Sequence, residues 1–344
     1  MLQVQTVWGW QIALYLFLGG LGAGTFIASA YVFLSSRKKT GTAVPEPAGT
    51  DRPGDGHEMS VRLDMVLFIT TWIAVACLCV GLLLLLSDLI QPWRGLMLWQ
   101  SFSNTNSWMT IGAWLLLVTV VIFIASAICM TSHVIPAFKG KKGAPRKLEK
   151  VLLILGAVLG ICVAAYTGIL LMSAQGIPFW NTGLLPCLFV VSALGTGIAL
   201  VEITIACAKP RGIQGSDPLQ HTTRSLKIIG LVLVVFEATL LFSYVYSMLG
   251  VTGDDPALQA ARQSAGMLVD GDLSVLFWGV VVCALVVSSV ATLSSFFLEA
   301  KAGRAVMVVS AICVLAGGCA LRFVVLFAGV QTDPIITAIS KLVS

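Results

Sequence analysis

Polar and aromatic side chains that could hold a small redox molecule gather near the same ends of several apolar segments. Gln11 and Tyr15 lie one helical turn apart at the start of the first apolar segment. Asp88 directly follows the second segment, and Tyr166 falls near the end of the fourth. A quinone headgroup needs aromatic walls, a donor for each carbonyl oxygen and a group that takes the proton released on oxidation. Tyrosine and tryptophan at such positions are also common membrane anchors. The connections add Arg94, Trp180 and Asn181 to this predicted site.

Charged residues inside the apolar segments form a second group. Glu237 lies near the middle of the sixth segment and Arg322 in the outer half of the eighth, so their opposite charges and overlapping depth predict a pair. Intramembrane charges are costly and usually functional, although a purely structural ion pair fits the same pattern. Asp64 and Glu202, toward the inner ends of the second and fifth segments, complete a candidate proton path. For Asp64 the alternative is a solvated carboxylate at the interface.

Histidine and cysteine placement excludes several redox centres. His57, His133 and His221 fall in or beside connections, so no segment holds the histidines that usually ligate a membrane haem. The nine cysteines lie within apolar segments and form no CxxC pair. Cys77 and Cys79, the closest two, face different sides of a helix. The sequence therefore predicts no haem, no Fe–S cluster and no metal site in this chain.

Eight apolar segments position these side chains. The chain is 58% hydrophobic and 11% charged, whereas soluble domains are about 25% charged. Each segment approaches or exceeds the ~20 residues that cross a bilayer as a helix, and no basic region precedes the first, which predicts that it is retained. The sequence predicts an all-α integral membrane protein with these spans: 8–34, 61–87, 108–132, 151–173, 183–208, 226–250, 273–298 and 306–330.

Basic residues in the connections predict the orientation. The first, third, fifth and seventh connections carry five, six, four and two lysines and arginines, whereas the others carry at most one each. By the positive-inside rule the odd connections are cytoplasmic and both termini lie outside. Because the basic residues are confined to these connections, their excess does not indicate nucleic-acid binding. Residues 35–60, rich in proline, glycine and charge, predict a mobile cytoplasmic loop, and residues 256–269 predict a short surface helix.

A weak internal repeat links the first and fifth segments. LGAG at 21–24 is matched by LGTG at 194–197, and both spans run from outside to inside. Small residues such as Gly20 and Gly24 let helix backbones approach closely, and chance also explains so short a match. The repeat predicts two parallel four-helix halves, residues 1–174 and 175–344.

Three stretches resemble the NrfD-like family, which includes the membrane subunit of polysulfide reductase. They are WGWQIALYLFLGGLGAG at 8–24, DLIQPWRGLMLWQSFSNTNSWMTIGAW at 88–114 and AYTGILLMSAQGIPFWNTGLLPCLFVVSALGTGIAL at 165–200. The resemblance implies two four-helix bundles without haem in a bacterial inner membrane. It also implies a menaquinol or ubiquinol site near the outer face, a four-cluster ferredoxin-type Fe–S partner there, and a catalytic, often molybdopterin, subunit.

The resemblance carries over to individual residues of the predicted site. In the polysulfide reductase relative, polar residues of the first helix and a tyrosine of the fourth helix form the quinone site, which implies Gln11, Tyr15 and Tyr166 here. That relative has a first-helix histidine with no counterpart in this sequence, so we expect Asp88 or Tyr15 to take the quinol proton. Gln11 stands where several relatives have proline.

The sequence thus predicts a subunit that oxidises quinol and delivers electrons to an Fe–S partner, with proton translocation as a separate addition. A secondary transporter is one alternative, favoured by the buried charges and the repeat, although no span is clearly broken at a midplane site. A passive anchor without a quinone site is the other. The terminal substrate of the complex stays open.

Overall fold

Eight helices in the structure are long and apolar enough to cross a membrane, which confirms the predicted all-α membrane architecture. The structure is a computed structural model that describes residues 3–5, 8–40, 55–88, 108–134, 145–174, 176–208, 218–253, 255–297 and 300–332. The membrane helices are α1 (Trp10–Thr40), α2 (Asp55–Ser87), α3 (Trp108–Val134), α4 (Arg146–Met172), α5 (Leu184–Ala208), α6 (Pro218–Leu249), α8 (Ser274–Ser294) and α9 (Ala300–Phe327).

The predicted surface helix is confirmed as α7 (Pro256–Val269). Its first turn begins where the sequence indicates, because Asp255 caps it by accepting a hydrogen bond from the Ala257 amide at 3.1 Å and Pro256 needs no hydrogen-bond partner at the first position. The helix α8 differs from expectation. Within this span, residues Phe277–Val282 form a π-helical turn, and no proline or other local signal in the sequence marks it. Such turns occur frequently at functional sites.

Two helices form the centre of the molecule. In α1, 78% of the most apolar stretch is buried, and in α5 67%, against 22–33% in α2, α3, α6 and α8. α1 packs against α2, α4, α5 and α9, and α5 packs against α1, α4, α6 and α9. α3 lies between α2 and α4, and α8 lies between α6 and α9. The peripheral helices therefore present most of the apolar surface that lipid can cover.

The central helices cross at glycines that belong to the internal repeat. Gly24 of α1 lies directly against Gly197 and the Ala193 carbonyl of α5, and Gly20 lies against Ala193. Positions 20 and 24 thus meet positions 193 and 197, which shows that the two helices run parallel here. Both pairs are 173 positions apart, the same offset that relates LGAG to LGTG. Equivalent residues of the repeat therefore contact each other.

The chain termini meet at one end of the bundle, which we call the termini face. Strand β1 (Gln3–Val4) pairs antiparallel with β2 (Val330–Gln331). Gly176 lies beside them with φ at +102°, a left-handed conformation that favours glycine. Its carbonyl accepts a hydrogen bond from the Thr332 amide at 3.0 Å. These contacts bind the start of α1 and the end of α9 to the α4–α5 connection.

The other end of the bundle, which we call the opposite face, holds the ends of α1, α3 and α5 and the starts of α2, α4, α6 and α9. Ser36 at the end of α1 and Thr222 near the start of α6 share a hydrogen bond of 3.4 Å there. The predicted 35–60 loop falls on this face, but both of its ends are helical, since α1 continues to Thr40 and α2 begins at Asp55. Residues 41–54 of that loop lie outside the described residues.

Candidate functional site

Two tyrosines meet inside the ring of α1, α2, α3 and α4, in the part nearer the termini face. Tyr15 is 1% exposed, and its ring packs over Gly81 of α2. The ring tip of Tyr166 occupies the space that Gly112 of α3 leaves free. The two tyrosines lie within electrostatic range of each other. The sequence placed both in one site, and the structure brings them together.

The Tyr15 hydroxyl has no hydrogen-bond partner among the described residues, although it is buried. Leaving a buried hydroxyl unpaired costs about 1–3 kcal/mol, so such groups are usually satisfied by protein, water or ligand. A bound molecule is one source of the hydrogen-bond partner that this hydroxyl lacks among the described residues.

Gln11, near the start of α1, and Asp88, just after the end of α2, lie nearer the termini face than Tyr15. Both side chains lie against Gly9. Gln11 is one helical turn before Tyr15 in α1. Each is partly exposed. A carboxylate and an amide therefore stand between the buried tyrosines and the solution at the termini face. Arg94, which the sequence also predicts in this site, lies outside the described residues.

Trp180 and Asn181 occupy the α4–α5 connection on the termini face. Trp180 is fully buried, and its indole nitrogen donates to the Val325 carbonyl of α9 at 2.9 Å. Its ring packs on Trp8 with centroids 5.3 Å apart. Asn181 is exposed. The indole nitrogen thus already has its hydrogen-bond partner, and the Trp180 ring stabilises the chain just before α1 through its contact with Trp8.

We expect Trp180→Phe to lower stability more than the same change at Trp278. The first leaves a buried Val325 carbonyl without a donor, which costs about 1–3 kcal/mol. Trp278 also donates to a backbone carbonyl, that of Val269, but is 45% exposed, so water can replace its indole. The thermal unfolding midpoints of the two detergent-solubilised variants test this. Equal shifts would contradict the supporting role of Trp180.

Arg322 and Glu237 belong to one buried polar cluster of α5, α6 and α9. Arg322 is 1% exposed and donates to the Ser192 hydroxyl, to the Gly318 carbonyl at 3.0 Å and to the Phe189 carbonyl at 3.2 Å. Its guanidinium also lies over the Phe189 ring, 4.9 Å from the centroid. Ser192 and Arg322 are both neighbours of the Glu237 carboxyl. The predicted association of the two charges is therefore present, with Ser192 as a shared partner.

Asp64 lies in a different cluster at the opposite face, in the ring of α2, α3 and α4. Its carboxylate is 3.5 Å from an Arg146 nitrogen, and the same guanidinium is 3.6 Å from Glu149. His133 approaches Glu149 at 3.4 Å. The sequence predicts His133 in or beside a connection and gives no signal for Glu149, because residues so close to a basic connection usually face solvent. In the structure Glu149 is 1% exposed.

Glu202 lies near the end of α5, toward the opposite face. It is within electrostatic range of Lys227 of α6, whose ammonium donates to the Ser295 hydroxyl of α8 at 3.0 Å. All nine cysteines are free. Among the described side chains, no group of three histidine, cysteine or acidic residues lies close enough together to hold a metal ion.

These features define a multi-pass helical membrane protein with two buried tyrosines near one end and buried charges in its interior. The family described as "Polysulphide reductase, NrfD" matches residues 2–334, and the chain belongs to this family. The resemblance found in the three sequence stretches is thereby confirmed. The family consists of membrane subunits of oxidoreductase complexes.

Relatives in three bacteria align along nearly their whole length. The C subunit of polysulfide reductase from Wolinella succinogenes is 30% identical over 343 residues, covering 94% of each protein. Protein NrfD of Escherichia coli is 27% identical over 342 residues, covering 95% of this chain and 96% of that protein. The NrfD homolog of Haemophilus influenzae is 26% identical over 346 residues, covering 95% of each. The name of the first marks it as one part of a larger enzyme.

Proposed function

We propose that this chain is the quinol-oxidising membrane subunit of a respiratory oxidoreductase complex. One observation carries the proposal: the Tyr15 hydroxyl is buried without a hydrogen-bond partner among the described residues, within electrostatic range of Tyr166. A quinol headgroup is a flat ring with an oxygen at each end, and it fits between aromatic walls that offer hydroxyl partners. Menaquinol and ubiquinol both satisfy this description.

The side chains of the pocket have separate tasks in this proposal. Oxidation of a quinol releases two electrons and two protons. Tyr15 hydrogen-bonds one quinol oxygen, and Tyr166 forms the facing wall with its hydroxyl. Asp88, beside Gln11, accepts the two protons one after the other and passes each to the solution, because this residue is partly exposed. Arg94 and Asn181, which belong to connections on the same face, remain part of the predicted site.

The electrons leave toward a partner subunit on the termini face. We place there a four-cluster ferredoxin-type Fe–S subunit, which serves a catalytic subunit that contains molybdopterin. The family's membership in oxidoreductase complexes supports the need for partners. The charge of the connections supports a bacterial inner-membrane protein with both termini outside. The pocket and the proposed docking face then lie on the same side of the membrane.

Two four-helix bundles, residues 1–174 and 175–344, complete the proposal. The packing of α3 between α2 and α4, and of α8 between α6 and α9, supports this division. So does the contact between Gly24 and Gly197, equivalent residues of the repeat. The first bundle then holds the tyrosine pocket, and the second holds the Arg322–Glu237 cluster.

Proton translocation is the last part of the proposal. Glu202, Glu237 and Arg322 all lie in the second bundle and follow one another from the opposite face toward the termini face. Their buried charges support a route through this bundle, because isolated charges in a membrane are rare without a function. Asp64 belongs to the first bundle, and its participation stays a prediction.

We expect Tyr15→Phe to slow quinol oxidation while the complex stays assembled. The variant removes one hydrogen bond to the quinol, worth about 1–3 kcal/mol, so kcat/KM for quinol falls roughly 5- to 160-fold. Steady-state oxidation of a soluble menaquinol analogue by the purified complex measures this. Tyr31→Phe is the matched control, since Tyr31 lies on the same helix and is partly exposed.

The alternative of a passive anchor makes a different prediction. If Tyr15→Phe, Tyr166→Phe and Asp88→Asn each assembled normally and oxidised quinol at the unmodified rate, the pocket would not be the quinone site. The secondary-transporter alternative would gain if the isolated chain in vesicles accumulated a solute against its gradient.

A further inference from the structure

Each of the two buried tyrosines rests on a glycine of a neighbouring helix. Tyr15 lies over Gly81 of α2, and Tyr166 lies over Gly112 of α3. A Cβ added at Gly81 would lie 3.6 Å from the Tyr15 ring, which is an ordinary van der Waals contact. Alanine therefore fits at position 81 without moving Tyr15. The quinone site proposed above assigns no role to either glycine.

The contact between Gly112 and Tyr166 is much closer. Gly112 is buried, and Tyr166 is 6% exposed. A Cβ at Gly112 would overlap Cζ and the hydroxyl oxygen of Tyr166 and would lie 2.5 Å from its Cε1. Non-bonded carbon atoms rest about 3.5–4.0 Å apart, so the phenol end would have to move by at least about 1 Å. The present position of the Tyr166 ring thus depends on the missing side chain at position 112.

The backbone of α4 has little room to take up this movement. Gly168, two residues after Tyr166, lies against α5, where an added Cβ would be 2.9 Å from the Pro186 nitrogen. Gly160 lies against α1, where an added Cβ would be 3.2 Å from the Ala23 carbonyl oxygen. α4 is therefore in close backbone contact with both central helices, whereas α3 packs on it from the periphery. A side chain at position 112 would displace the Tyr166 ring rather than the whole of α4.

We propose that Gly112 is a positioning residue for quinol oxidation, because the space it leaves lets the Tyr166 ring extend to the backbone of α3. This inference rests on the proposed function, in which Tyr166 is one wall of the quinone site. Gly112 acts only through Tyr166 and does not contact the quinol. A misplacement of about 1 Å in a group that orients a substrate can cost about 100-fold in rate. The effect of a side chain at position 112 is therefore expected in catalysis as well as in packing.

Oxidation of a soluble menaquinol analogue by the purified complex tests the role of Gly112. We expect Gly112→Ala to lower kcat/KM for quinol roughly 10- to 100-fold while the partner subunits and iron stay bound. Gly81→Ala is expected to lose far less, since a Cβ there makes only an ordinary contact. Gly279→Ala is expected to match the unmodified complex, because no described atom lies within 4 Å of a Cβ at that position.

Variants of Tyr166 separate positioning from a general packing defect. Tyr166→Leu removes the ring tip, so Gly112→Ala is expected to cause no further loss of kcat/KM in that background. Tyr166→Phe keeps the Cζ and Cε1 carbons that a Cβ at position 112 would meet, so Gly112→Ala is expected to lower kcat/KM in that background too. A packing defect unrelated to Tyr166 would instead give the same loss in all three backgrounds.

An assembled Gly112→Ala complex with an unaltered kcat/KM would overturn the inference, because it would show that α3 moves outward and leaves Tyr166 in place. If Gly112→Ala does not assemble, the double variant Gly112→Ala with Tyr166→Leu decides. The inference predicts that this double variant assembles and oxidises quinol at the rate of Tyr166→Leu. A double variant that also failed to assemble would overturn it.

The Tyr166→Leu variant distinguishes this failure from failure of the proposed function. A slow Tyr166→Leu complex together with an unaltered Gly112→Ala complex would overturn the role of Gly112 and leave the quinone site standing. An unaltered rate of quinol oxidation in Tyr166→Leu would remove Tyr166 from the quinone site, and the role of Gly112 with it.

Discussion

Replacement of Gly197 by alanine is expected to unfold the centre of the molecule. A Cβ at this position overlaps the backbone of Gly24 and Thr25 in α1, and backbone atoms cannot move aside as a flexible side chain does. Relief requires separation of α1 and α5, the two most buried helices. Overpacking typically costs about 1–3 kcal/mol and occasionally more. We expect Gly197→Ala to lower the free energy of unfolding by an amount at or above the upper end of this range, because two whole helices must separate.

The thermal unfolding midpoint of the detergent-solubilised chain measures this effect. Gly279→Ala is the matched control, since Gly279 lies in another membrane helix and nothing stands within 4 Å of a Cβ there. We expect the control to keep the unfolding midpoint of the unmodified chain. Gly197→Ala is expected to unfold at a lower temperature and to give a lower yield of monodisperse protein. A normal midpoint for Gly197→Ala would show that α1 and α5 do not cross at this glycine.

Replacement of Arg322 by leucine is the second change with a large expected effect. It removes the donor to Ser192, Gly318 and Phe189 and leaves Glu237 without its opposite charge. Removing one member of a buried charged cluster typically costs about 3–5 kcal/mol. Lysine is not expected to restore stability, because it lacks the planar fork that reaches three acceptors.

A double variant shows whether the loss comes from the stranded carboxylate. Arg322→Leu combined with Glu237→Gln is expected to recover much of the stability lost by Arg322→Leu alone, because no buried charge is then unpaired. Arg262→Leu on α7 is the control, since that arginine is exposed. Equal unfolding free energies for the single and double variants would contradict electrostatic coupling between the two residues.

Much of the fold follows from apolar length, which is a local property. All eight spans and α7 were predictable because each is a long apolar run or carries its own cap. The close approach of Gly24 and Gly197 had a visible signal in LGAG and LGTG, although only the structure shows that the two motifs touch. The π-helical turn in α8 had no such signal, since FWGVVV carries no proline and reads as ordinary apolar helix.

The candidate site was predictable only where a residue's depth determined its neighbours. Tyr15 and Tyr166 share a depth and a helix group, and they meet. Trp180 shares that depth, but its partner is a carbonyl 145 positions away, which no local pattern encodes.

Purification of the native complex tests the central claim most directly. The chain is extracted from its own membranes, its partners are identified, and iron, molybdenum and quinone are assayed. The account predicts an Fe–S subunit that co-purifies with the chain and clusters that added quinol reduces. A chain that purifies alone, without iron or quinone, would contradict the quinol-oxidising function and favour the transporter alternative.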